Sequence, residues 1–173
     1  FEAMTAKLEQ IPAGDLVLLH GCCHNPCGAD LSKEQWNALA DLFESEGSAR
    51  VADSYGRGPS RVPFEIKDPR GFAEFLRQFA EHDARGSALT SRGFQGARPS
   101  LLDFEDAIRK LTIPALIVVG DEDERCIESS LFLKSAIAAS GLVVFPKTGH
   151  VVNLEEPVLF NAVVAGHAKA GQE

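Results

Sequence analysis

The chain has 173 residues, 45% of them apolar and 24% charged, which suits one globular domain with its own buried core. Its longest apolar runs, Leu16 to Leu19, Ala115 to Val119 and Leu142 to Phe145, are strand-sized and far short of the ~20 residues that cross a bilayer, so no membrane association is expected. With 17 basic and 25 acidic side chains the formal charge is −8, the wrong sign for a phosphate-rich partner, and no nucleic acid is expected either.

No basic segment followed by an apolar stretch opens the sequence, so no secretory signal is expected. Three of the four cysteines crowd into Cys22, Cys23 and Cys27, which is not the spacing of a disulfide framework; a reduced, cytoplasmic protein follows. The charge is uneven along the chain. Residues 1–49 hold 2 basic and 8 acidic side chains and no arginine, whereas residues 50–110 hold 11 basic and 9 acidic, nine of the basic ones arginine. A shift this abrupt near residue 50 marks a boundary or a lid.

In chain order, Leu16 to His20 reads as a short buried strand between Ala13-Gly14-Asp15 and Gly21. Ser32 and Gln35 have the spacing of a capping box, and Trp36, Leu39, Ala40 and Phe43 form an apolar stripe, which predicts a helix over Lys33 to Ser45 ended by Gly47. Residues 49–70 carry Gly56, Gly58, Pro59, Pro63 and Pro69 and read as a linker or loop. Phe72, Phe75, Leu76 and Phe79 predict an amphipathic helix over Gly71 to His82, followed by a glycine-rich stretch around Gly86, Gly93 and Gly96. Ser100 then caps a helix with the stripe Leu101, Phe104, Ile108.

The last third alternates: strand Ala115 to Val119, helix Ser129 to Ala138, strand Leu142 to Phe145, and a helix from Pro157 to about Lys169 with Glu155 and Glu156 at its positive end. The fold class expected is therefore α/β, a small mainly parallel sheet flanked by helices. Functional groups in such sheets gather just past the carboxyl ends of strands, where this chain has Gly120-Asp121-Glu122-Asp123 and Gly149-His150. An acid that accepts a proton from one imidazole nitrogen leaves the other to act as a general base.

The run from Ile113-Pro114-Ala115-Leu116-Ile117-Val118-Val119-Gly120 to Asp123, then Gly149-His150 and Asn153-Leu154-Glu155-Glu156-Pro157, resembles the C-terminal half of the α/β-hydrolase family. The likeness covers about residues 61–173, and it implies Asp123 as the acid and His150 as the base of a triad. The family's nucleophile motif, Gly-x-Ser-x-Gly, occurs nowhere in the sequence. Gly21-Cys22-Cys23-His24-Asn25 imitates it with a thiol, but Asn25 stands where a small residue is needed. Leu16 to Gly21, and Asp53-Ser54-Tyr55-Gly56-Arg57-Gly58-Pro59-Ser60, also echo hydrolase loops; were both genuine, the chain would be a hydrolase with its nucleophile segment deleted.

Residues 1–47, above all His24-Asn25-Pro26-Cys27-Gly28 and Gln35-Trp36, resemble the aspartate and aromatic aminotransferases. That resemblance implies pyridoxal phosphate, with Asn25 bonded to the ring hydroxyl oxygen, and Asp53-Ser54-Tyr55 imitates the family's aspartate segment. No Ser-x-x-Lys follows to supply an aldimine lysine: Lys67 lies among prolines and Lys134 in the hydrolase-like helix. Cys22, Cys23, His24 and Cys27 are too crowded to hold one tetrahedral ion, and no metal is expected.

These readings divide the chain into an aminotransferase-like fragment at 1–48, a junction at 49–70, and a hydrolase-like lid and C-terminal half at 71–173. At this length both catalytic units would be incomplete. The expected function is at most weak hydrolysis of a small ester or related substrate, with no cofactor. The alternatives are a pyridoxal-phosphate aminotransferase fragment and a non-catalytic or engineered mosaic; homo-oligomerisation stays open.

Overall fold

The computed structural model describes residues 32–170. The expected strand Leu16 to His20, the cysteine-rich turn and Asn25 lie outside the described residues.

The described part begins with α1 (Lys33–Ser54), capped as the sequence predicts. Gln35 N donates to Ser32 Oγ at 3.3 Å and Ser32 N donates back to Gln35 Oε1 at 2.8 Å, satisfying two of the donors that a helix start exposes. Ser32→Ala should therefore cost about 1 kcal/mol, read as a lower urea midpoint at unchanged slope. Gly47 does leave the helix, with φ at +81°, but the helix resumes because Ser48, Val51 and Ala52 are buried against neighbouring helices.

Residues 49–70 are helical, and the expected loop is corrected. After α1 come 3-10 turns at Tyr55–Arg57 and Pro59–Arg61, then α2 (Val62–Lys67) and α3 (Pro69–Ala80). Pro59, Pro63 and Pro69 all sit in the first positions of their elements, where a missing N–H costs nothing; they start helices here. Asp68 completes the start of α3 by accepting from Gly71 N at 2.9 Å. The glycine-rich stretch is also ordered, as α4 (Ala84–Thr90) running into a π turn at Ser91–Gln95, with Asp83 accepting from Gly86 N at 2.6 Å.

These helices form one layer. α1 packs on α3 and α4 around Ala40, Phe43, Val51 and Ala88. The predicted stripe on α3 feeds a chain of rings: Phe64 meets Phe72 edge-on at 5.5 Å, Phe72 stacks on Phe75 at 5.9 Å, and Phe79 reaches Phe43 at 6.4 Å. The Arg61 guanidinium covers Phe75 at 5.2 Å and Arg57 covers Phe72 at 5.5 Å, so two of the clustered arginines serve as lids on aromatic faces. Arg92 ties the π turn to Asp41 and Glu44 of α1.

A 3-10 turn at Leu101–Phe104, capped by Ser100, leads through α5 (Glu105–Ile108) to the second layer. There β1 (Ala115–Gly120), α6 (Glu124–Ala136) and β2 (Ser140–Phe145) make a parallel strand–helix–strand unit, with Ala115 paired to Ser140 and Gly120 to Phe145. Its core is Ile108, Ala136 and Ile137, with Phe104, Phe132 and Leu133 packed around them. α7 (Val152–Glu155) and α8 (Pro157–Ala170) close the described part. The α/β class holds, although α6 starts five residues before the predicted Ser129: Cys126 and Ser130, one turn apart, are both buried. Among the described residues, no helix is long and apolar enough to cross a membrane.

Candidate active site

Two loops at the carboxyl ends of β1 and β2 are sewn together by backbone bonds. Asp121 N donates to Phe145 O at 3.0 Å, Glu122 N donates to Thr148 O at 3.0 Å, and Asp121 Oδ1 accepts from Thr148 N at 3.1 Å. The approach is so close that only glycine fits at the end of β1. A Cβ on Gly120 would lie 2.1 Å from Thr148 O and 2.4 Å from Gly149 O.

This stitching brings Asp123 and His150 together. Asp123 Oδ2 lies 2.7 Å from His150 Nδ1, and both side chains are only 4% exposed. A carboxylate can only accept, so Nδ1 carries the proton and Nε2 is the basic nitrogen. The two residues that the sequence singles out as acid and base are thus adjacent. Asp123 Oδ1 is buried with no hydrogen-bond partner among the described residues.

Several groups that the sequence did not single out support the histidine. His150 N donates to Ser60 O at 2.9 Å, which joins the helical layer to the loop. Glu155, expected merely to lie at the positive end of the last helix, is turned inward. It accepts from Gly149 N at 2.9 Å and from Val151 N at 3.3 Å. Burial pushes its carboxyl above the ordinary glutamate value, against the opposing pull of the Gly149 amide, Lys67 and the Val151 amide. Lys67 Nζ reaches Thr148 Oγ1 at 2.9 Å, Glu156 at 2.6 Å and Glu155 at 3.8 Å. The advance signal was the Glu-x-Pro pattern of the hydrolase resemblance, which falls on Glu155 but assigns it no partner.

Cys126 Sγ lies 3.9 Å from His150 Nδ1, and with Asp123 the three ligand atoms fall within 4.8 Å of one another. Cys126 is disulfide-bonded, and a sulfur so committed is neither a thiolate ligand nor a nucleophile. Pyridoxal phosphate does not fit the described residues. Asp53 is on the exposed side of α1, paired with Arg57 at 3.2 Å, whereas a partner for the pyridine nitrogen must be buried beside the ring. Lys67 is held by Glu156 and Thr148.

Comparisons with known proteins give two different answers. The model of the family "Aminotransferase class I and II" matches residues 1–55. An aspartate aminotransferase of Salmonella typhi is 48% identical over 80 residues, covering 46% of this chain and 19% of that protein. An aromatic-amino-acid aminotransferase of Paracoccus denitrificans is 49% identical over 53 residues, 31% of this chain and 14% of its own length. The chain thus spans about a fifth or less of these relatives.

The fold points elsewhere. MenH from S. aureus superposes with a TM-score of 0.75 at 18% identity, over 82% of this chain and 52% of that one. The enol-lactonase from Burkholderia xenovorans LB400 gives 0.67 at 21% identity, over 83% and 53%. A thermophilic esterase from Thermogutta terrifontis gives 0.68 at 21%, over 89% and 54%. The chain therefore joins an aminotransferase-like N-terminal sequence to an α/β-hydrolase fold, and it spans about half the length of these hydrolase-fold chains. The fold likeness covers more of the chain than lies beyond residue 55, so the two likenesses overlap.

Proposed function

We propose that this chain carries the acid–base part of an α/β-hydrolase active site, Asp123 and His150, without the family's serine elbow. The buried 2.7 Å contact between Asp123 and His150, on loops past two adjacent parallel strands, is the observation that carries this reading. In the proposed reaction Asp123 holds the imidazole and balances its charge while Nε2 takes a proton from a water attacking the ester carbonyl; the acyl C–O bond then breaks and the imidazolium returns that proton to the departing alkoxide. The substrate class is a small activated ester, and turnover is slow because no covalent nucleophile shares the work. Acid–base assistance of this kind is worth roughly a hundred-fold or more. Hydrolysis of p-nitrophenyl acetate should fall by about that factor in His150→Ala; a rate unaffected by the substitution removes His150 from the chemistry.

A pyridoxal-phosphate protein is the second reading. Its support is the aminotransferase match over residues 1–55, which contains Asn25; Asp53 and Lys67 as placed here speak against it.

A further inference from the structure

We propose that Glu155 is a positioning residue for His150: its buried carboxylate fixes the backbone on both sides of the histidine and so aims the imidazole at Asp123. This inference rests on the reading of His150 as a base and adds to it a residue that never touches substrate.

Three consecutive amides carry the argument. Gly149 N and Val151 N both donate to Glu155, at 2.9 and 3.3 Å, while His150 N between them donates to Ser60 O at 2.9 Å. With all three donors assigned to fixed acceptors, the peptide planes on either side of His150 cannot rotate independently. The direction of its Cα–Cβ bond follows from them. Gly149 is wedged as tightly, since a Cβ there would lie 2.3 Å from Ser60 O and 3.1 Å from Glu155 Oε1.

A purely structural acceptor need not be charged. The Glu155 side chain is 0% exposed, and burying an ionised carboxylate is costly unless it is paired and fully hydrogen-bonded. The charged groups facing it are Lys67 at the end of α2 and the neighbouring Glu156, with Lys67 held between them and Thr148. The carboxylate thus accepts from Gly149 N and Val151 N, the amides that flank His150, and has one cation from the helical layer, Lys67, beside it.

The test is made on the full chain by NMR, following solvent exchange of the His150 Nδ1 proton against the amides of the β1–β2 ladder. Losing an acceptor for charge-assisted bonds should speed exchange of that proton about ten-fold or more in Glu155→Ala, with the ladder amides unchanged. Glu155→Gln keeps an oxygen acceptor and should fall between the two. If Glu155→Ala does not fold, Glu155→Asp, whose carboxylate stops one methylene short, replaces it with the same expectation. Exchange within about two-fold of the parent, or ladder amides that accelerate in step, overturns the positioning role. Ester turnover on the same samples separates the two readings. A released Nδ1 proton with turnover indifferent to His150→Ala keeps the positioning role and removes the hydrolase reading.

Discussion

Gly120→Ala is expected to destabilise the protein by about 3 kcal/mol or more and to separate Asp123 from His150. The new methyl would meet Thr148 O at 2.1 Å and Gly149 O at 2.4 Å, and these are backbone atoms that cannot swing aside as a side chain would. Relief requires the loop after β2 to move away from the loop after β1. That movement breaks the bonds from Glu122 N to Thr148 O and from Thr148 N to Asp121 Oδ1, and it carries His150 with it. A urea midpoint lowered at constant slope, together with loss of the hydrogen-bonded His150 Nδ1 proton signal, is the expected result. A variant as stable as the parent would mean that the two loops do not approach as described.

Phe72→Ala should cost about 3–5 kcal/mol, the range for removing a buried aromatic side chain. Phe72 is 2% exposed and lies between Phe64 and Phe75 with the Arg57 guanidinium on its face. The cavity is flanked by rings anchored on two separate helices, α2 and α3, so collapse is restricted. A loss under about 1 kcal/mol would show that the ring chain is not the core of the helical layer.

The two halves of the structure were unequally legible. The acid and the histidine could be read because each lies just past a strand of recognisable length, and the parallel pairing of β1 with β2 puts those two ends side by side. The helical layer was obscured by its glycines and prolines. Pro59, Pro63 and Pro69 break an element when interior and begin one when first, and only packing decides which. Gly47 breaks the helix with a positive φ that favours glycine, yet burial of Val51 and Ala52 makes the helix start again. Glu155 and Glu156 have the same side chain. What separates them is which one reaches back to the amides of Gly149 and Val151, six and four residues earlier in the chain.

The bond from His150 N to Ser60 O links residues on different layers and is the backbone contact through which the helices hold the histidine. Folding cooperativity at the site is therefore shared. The strand–helix–strand unit and the loop that follows it contain Asp123 and His150, but not the oxygen that holds the histidine's amide. Partial opening of the helical layer would free that amide while the strands stayed paired, so the acid–base pair belongs to the least stable cooperative unit that includes Ser60 and not to the sheet alone.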